Sequence, residues 1–78
     1  MDNPSEYLKQ RLWERYKIKA DDRFVGDLVY KCTVGEGKLI AKPMKAEVWD
    51  IETKEGTIRC VFDRSRFVIH TVLVMEQP

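Results

Sequence analysis

The first part of the chain carries an apolar stripe with helical spacing. Leu8, Leu12 and Tyr16 recur every four residues, and mostly polar or charged residues fill the positions between them. Pro4 favours the first position of a helix, where its missing N–H costs nothing. The pattern therefore predicts an amphipathic helix over residues 4–19, with one apolar face to cover.

Beyond this segment the apolar period changes from four residues to two. Apolar side chains alternate with polar ones toward Val34, which is typical of a strand with one buried face. Gly35 and Gly37 then predict a hairpin turn, because glycine tolerates the backbone of tight connections. Alternation and turn residues divide the remaining chain in the same way. The predicted strands span residues 23–34, 38–42, 44–53, 57–63 and 66–75.

Three irregularities refine this prediction. Pro43 cannot donate to a sheet ladder, so it marks an edge, a bulge or a bend. The alternation slips by one position near Val48 and Trp49, which predicts a bulge or strong bend there. The last predicted strand has apolar residues at both odd and even positions, so both of its faces are apolar, which is typical of a strand covered on both faces.

These elements predict an α+β fold. One N-terminal helix packs on a strongly curved antiparallel meander of four to five strands. As an alternative, bends at Pro43 and near Val48 close the strands into a small SH3-like or Sm-like barrel. With 78 residues, the chain is predicted to form a single domain over residues 1–78.

Composition and charge disfavour several functional classes. Hydrophobic residues make up 44% of the chain and charged residues 35%, enough apolar material for a folded core. The formal net charge of +1 lacks the excess typical of dedicated binders of nucleic acids or anionic membranes. The uncharged run from Phe67 to Met75 is about half of the ~20 residues that a spanning helix needs. We therefore expect no membrane partner and, since the N-terminus lacks a secretory signal pattern, a cytoplasmic protein or one made in a host cytoplasm.

No catalytic, metal or cofactor pattern is recognisable. His70 has no nucleophile motif around it, so it is interpreted as a structural or interface residue rather than a catalytic one. Cys32 and Cys60 lack the short knuckle spacing of zinc sites and are predicted to be buried thiols. The glycines at 35 and 37 precede a strand rather than a helix, which does not match a phosphate loop. We expect no enzyme activity and no cofactor.

The remaining signal is a set of aromatic and basic residues. Tryptophan and arginine are common anchors of protein interfaces, although core filling is the alternative for each tryptophan. The candidate interface residues are Trp13, Arg15, Trp49, Arg64 and Arg66. The leading hypothesis is a non-enzymatic interaction protein that binds a larger protein stoichiometrically, as an adaptor or inhibitor. Small inhibitors of host machinery encoded by phages or mobile elements are of similar build.

The alternative function is a nucleic-acid-binding small barrel in which basic side chains contact phosphates. Its candidate contacts are Lys9, Arg11, Lys17 and Arg59. The oligomeric state also stays open, and an exposed sheet edge or the outer face of the last strand is the predicted contact of a homodimer.

Overall fold

The computed structural model describes residues 4–74, with the side chains described from residue 6 onward. Two helices precede four strands: α1 (Pro4–Tyr16), α2 (Asp22–Val34), β1 (Lys38–Ala41), β2 (Glu47–Thr53), β3 (Gly56–Asp63) and β4 (Val68–Leu73). The strands form one antiparallel sheet in the order β1-β2-β3-β4. The predicted α+β class is confirmed, and because β1 and β4 are the two edges, the sheet is open. Within residues 4–74, no helix is long and apolar enough to cross a membrane.

Helix α1 ends at Tyr16 rather than at residue 19. Lys17 has a left-handed backbone (φ 59°), which stops the helix. The N–H groups of Lys17 and Ile18 donate to the carbonyls of Trp13 (3.0 Å) and Leu12 (3.3 Å). The bond from Lys17 spans four residues, as in the αL type of helix end, and Ile18 is buried just after this turn.

The predicted strand over residues 23–34 is wrong, because this segment is helix α2. Its buried residues are Val25, Leu28 and Cys32, spaced three and four apart as on one face of a helix. The carboxylate of Asp21 caps the helix by accepting the Phe24 N–H at 2.8 Å. Gly35, with a left-handed backbone (φ 79°), ends it. The predicted hairpin at residues 35–37 is therefore also wrong.

The predicted irregularity near Val48 lies on the neighbouring strand. Leu39 pairs with Trp49 and Ala41 pairs with Val48, so Ile40 is an extra residue in β1. Strands β2 and β3 pair without a shift from residue 47 to residue 53. The bulge therefore lies in the short edge strand, opposite the position where the sequence pattern slips.

A second bulge explains why the last strand is apolar at both parities. Thr71 pairs with Val61 and Ile69 pairs with Phe62, so His70 is the extra residue in β4. Ile69 and Val72 consequently both point into the core although they are three positions apart. The predicted cover on both faces is wrong, since only Ile69 and Val72 are buried in β4, whereas His70 is exposed and the other residues of the strand are half-buried. The predicted end at residue 75 lies outside the described residues.

The core lies between the two helices and one face of the sheet. It contains Leu8, Leu12, Ile18, Val25, Leu28, Cys32, Trp49, Ile51, Ile58, Cys60, Phe62, Ile69 and Val72. At its margin, the hydroxyl of Tyr16 accepts the Arg59 N–H at 3.1 Å and donates to the Leu73 carbonyl. This hydroxyl joins β3 to β4 and fixes α1 against the sheet edge.

We expect Tyr16→Phe to lower the free energy of unfolding by about 1–3 kcal/mol, because it removes the partner of two backbone groups. Urea denaturation measures the loss. In the same variant, hydrogen exchange at the Arg59 amide should accelerate. Unchanged exchange there would contradict the bridging role of the hydroxyl.

Candidate binding surface

Two loops lie at the same end of the sheet. Residues 42–46 connect β1 to β2, and residues 64–67 connect β3 to β4. In an antiparallel meander, alternate connections emerge at the same end. We call residues 42–46 and 64–67 together the loop-end surface.

Each loop presents one exposed apolar side chain. Met44 is 99% exposed and Phe67 is 55% exposed. Both have left-handed backbones, with φ values of 52° and 55°, which is uncommon for residues with bulky side chains. Such conformations persist only where the surrounding structure enforces them, and they concentrate at functional sites. The two apolar groups are therefore held outward at a cost in stability.

A polar network under the second of these loops, residues 64–67, fixes its position. Arg64 forms a bidentate ion pair with Glu47, from Nε to Oε2 and from Nη2 to Oε1, both at 3.0 Å. The indole N–H of Trp49 donates to the same Glu47 Oε1 at 2.8 Å. Arg64 also donates to the carbonyls of Thr33 (3.1 Å) and Cys32 (3.2 Å). The network therefore ties the second loop to β2 and to the C-terminal end of α2.

The charges that face outward at this end are positive. Lys42 and Lys45 form no ion pair within the described chain, and Arg66 is largely exposed with its Nε 3.9 Å from Asp63 Oδ2. The two carboxylates, of Glu47 and Asp63, are recessed. Asp63 accepts hydrogen bonds from the Ser65 backbone N–H (3.0 Å) and hydroxyl (2.6 Å). The outer surface thus combines two apolar tips with three cations.

The structure separates the predicted interface residues. Arg66 lies in the loop-end surface and Arg64 lies in the network beneath it. Trp49 is only 9% exposed and belongs to the core. The prediction that Trp49 is an accessible interface residue is therefore wrong, and the alternative that it fills the core is the one observed. Its indole ring lies beside Gly35 at the end of α2, where an added Cβ would be in ordinary contact at 3.7 Å, so the left-handed backbone rather than lack of space favours glycine there.

The two interface candidates on α1 lie elsewhere. Trp13 is 48% exposed, with the ammonium group of Lys17 5.6 Å from its ring centroid. Arg15 donates from Nη1 to the Val72 carbonyl at 2.7 Å, at the end of β4 remote from the 64–67 loop. These residues are not brought together with Arg64 and Arg66.

The residues predicted to contact phosphates each have a partner within the protein. Lys9 pairs with Asp22 (2.5 Å) and Arg11 pairs with Glu14 (2.8 Å). Arg59 forms a bidentate pair with Asp50, at 2.8 and 3.0 Å. Lys17 lies over the Trp13 ring. All four predicted phosphate contacts therefore have partners within the protein, and these contacts do not align them along one groove.

The remaining chemical candidates form no site. Cys32 and Cys60 are free and fully buried, and the hydrogen bond with Cys32 together with burial raises the pKa of the Cys60 thiol. His70 Nε2 lies 3.3 Å from Asp63 Oδ2 and has no nucleophile among its hydrogen-bond partners. In residues 4–74, no group of three or more His, Cys, Asp or Glu side chains is placed to hold a metal ion.

A groove of about 540 Å³ lies at the other end of the sheet, between α2 and the β2–β3 turn. Ile18, Phe24 and Leu28 are among its apolar lining residues. Its charged lining residues are Lys19, Asp21, Arg23, Asp27, Lys31, Lys54 and Glu55. Because cations and anions are interspersed around it, the groove offers no selective field for a charged ligand.

The network makes stability dependent on acid pH. The ion pair with Arg64 and the hydrogen bond from Trp49 hold the pKa of Glu47 below its ordinary value of 4.5. A lowered folded-state pKa stabilises the fold fully above the ordinary value, and this stability is lost as pH falls through the folded-state pKa. The pKa of Asp63 is lowered in the same direction, chiefly by the Ser65 hydroxyl.

We therefore expect the free energy of unfolding to fall as the pH drops below about 4.5. Glu47→Gln should be less stable than the wild type at neutral pH and should lose less stability on acidification. Urea denaturation between pH 7 and pH 3 measures how steeply the free energy of unfolding falls with pH in each protein. Equal slopes for the two proteins would contradict the role assigned to Glu47.

Sequence reasoning missed Met44 and Phe67. Both fall at the start of predicted strands, over residues 44–53 and 66–75, and the signal against that placement is a basic neighbour, as in Lys42-Pro43-Met44-Lys45 and Arg66-Phe67. An apolar residue in a polar turn has no core to enter and is a candidate contact residue.

Comparisons of the chain with protein-family models, with curated proteins and with solved structures give no match.

Proposed function

We propose that this chain is a non-enzymatic binding module that forms a stoichiometric complex with a larger protein through the loop-end surface. The observation that carries the proposal is the pair of exposed apolar side chains, Met44 and Phe67, held outward in left-handed backbone on neighbouring loops. Methionine, aromatic residues and arginine are enriched in protein interfaces, and Arg66 completes such a set here.

The Arg64–Glu47–Trp49 network supports this proposal. Because the network fixes the loop of residues 64–67 before any partner arrives, that loop has little conformational entropy left to lose on binding. In the loop of residues 42–46, the Ala46 N–H donates to the Pro43 carbonyl at 2.9 Å and closes the turn. A preformed surface suits a specific protein contact. In this proposal the module acts by occupying a surface of its partner, either as an adaptor or as an inhibitor.

The proposed place of action is the cytoplasm, or a host cytoplasm if the chain is encoded by a phage or mobile element. Two free, buried thiols fit a reducing compartment.

We expect the Met44→Asn/Phe67→Asn variant to lose at least about 30-fold in affinity for its partner, or about 2 kcal/mol, since both changes remove apolar contact area. Asparagine tolerates left-handed backbone, so the fold should be kept. The matched control is Tyr30→Gln/Val34→Gln, which removes two large apolar side chains from α2 that are 59% and 50% exposed.

The test is affinity purification from lysate with and without nuclease treatment, at two salt concentrations, with tagged wild type and variants compared by mass spectrometry. A protein retained by the wild type and the control, but lost with the loop variant, supports the proposal. Loss with Trp13→Ala but not with the loop variant would move the interface to α1. Co-purified nucleic acid in untreated lysate that disappears at high salt would favour the nucleic-acid alternative instead.

A further inference from the structure

The loop-end surface has a one-sided electrostatic character that the net charge of +1 conceals. Lys42, Lys45 and Arg66 face outward, whereas the carboxylates of Glu47 and Asp63 are recessed and engaged by internal donors. An approaching partner therefore meets cations first. Opposite charge on the partner accelerates encounter and selects against basic partners.

The apolar tips lie among these cations rather than apart from them. Met44 stands between Pro43 and Lys45, and Phe67 directly follows Arg66. A complementary partner thus needs an apolar side chain close to its acidic groups. Resting on the proposed function, we infer that the loop-end surface recognises an acidic segment of its protein partner that carries a large apolar side chain.

Two other anionic occupants fit the geometry less well. Single-stranded nucleic acids are held by rows of stacked aromatic side chains, and in the described chain Phe67 is the single aromatic residue of this surface. An anionic bilayer attracts basic segments without requiring fixed geometry. Attraction to a bilayer does not explain why Met44 and Phe67 adopt left-handed backbones, or why Arg64 holds the 64–67 loop to Glu47 and Cys32.

The experiment is panning of a phage-displayed library of random linear peptides against the immobilised protein. Enriched peptides are then synthesised and titrated into 15N-labelled protein. We expect enriched sequences to combine Asp or Glu with a large apolar residue, and chemical-shift changes to concentrate in residues 42–46 and 64–67. Lys42→Glu/Lys45→Glu should weaken binding at least 10-fold. The matched charge control, Lys19→Glu/Lys54→Glu at the other end of the sheet, should leave binding within about twofold of the wild type, since distant exposed charges are screened by salt.

Several results would overturn the inference. These are no enrichment, enrichment of basic or uncharged peptides, shift changes confined to α1 or to the groove beside the β2–β3 turn, or equal effects of the two charge variants. Comparable binding to phosphatidylserine vesicles or to an oligothymidylate, lost with the same loop variants, would also overturn it in favour of lipid or nucleic acid. If panning fails while the Met44→Asn/Phe67→Asn variant still loses a captured protein, the proposed function stands and only the acidic-segment inference falls. If both fail, the proposed function falls as well.

Discussion

Replacing Trp49 by alanine is expected to lower the free energy of unfolding by about 3–5 kcal/mol, the usual cost of truncating a buried aromatic side chain. The indole ring is buried in the core cluster, and its N–H donates to Glu47. Truncation leaves a cavity at the end of α2 and removes one donor from the network that supports the loops.

Trp13→Ala is the matched control, because it removes the same side chain from a half-exposed position on α1. Its unfolding free energy should change by less than about 1 kcal/mol, as for most surface substitutions. Urea denaturation followed by circular dichroism measures both variants. Equal losses would contradict the assignment of Trp49 to the core and Trp13 to the surface.

Replacing Gly37 by alanine is expected to destabilise the fold by about 3 kcal/mol, at the upper end of the usual cost of overpacking. An added Cβ would lie 2.7 Å from the Asp50 carbonyl oxygen and 2.5 Å from Cδ1 of Ile51. The Ile51 side chain can shift, but the Asp50 carbonyl belongs to the backbone of β2, so the chain leading into β1 has to move away from β2. The loop of residues 42–46 should then lose its fixed position.

Gly26→Ala is the control with the opposite sign. Gly26 lies inside α2, and an added Cβ there meets nothing within 4 Å. Alanine favours the helix over glycine by about 0.5–1 kcal/mol, so this variant should be more stable than the wild type. Thermal denaturation should show a lower Tm for Gly37→Ala and a higher Tm for Gly26→Ala than for the wild type. Destabilisation by both changes would contradict the local geometry described for Gly37.

The sequence predicted the helix and sheet elements that have one dominant period. Leu8 and Leu12 identify α1, and alternation around Ile58 and Cys60 identifies β3. In α2 two periods overlap, because Leu28, Tyr30, Cys32 and Val34 also alternate as in a strand. Its many β-branched and aromatic residues strengthened that wrong interpretation. The cap residues, Asp21 and Gly35, carried the correct signal.

The bulges were predictable only in part. The slip in apolar alternation near Val48 indicates an irregularity, but it cannot decide whether the extra residue lies in β2 or in the neighbouring strand β1. In β4 the shift at His70 made both parities apolar, which resembles a strand covered on both faces. Pairing register decides between these interpretations, and it depends on contacts between distant segments.

The candidate surface was also predictable only in part. Arg64 and Arg66 were among the residues predicted for an interface, and the structure places them at or beneath this surface. Composition cannot decide which tryptophan fills the core, so Trp13 and Trp49 were assigned to the same predicted interface. Met44 and Phe67 were missed because their left-handed backbones arise from the hairpin connections rather than from their own preferences. Only the assembled sheet brings the two loops to one end.

The most direct test of the loop-end surface is hydrogen–deuterium exchange on the wild-type protein, free and in complex with a captured partner. Residues 42–46 and 64–67 should gain protection on binding, while the outer face of α1 around Trp13 should exchange as in the free protein. Protection confined to α1, with both loops unchanged, would contradict the account.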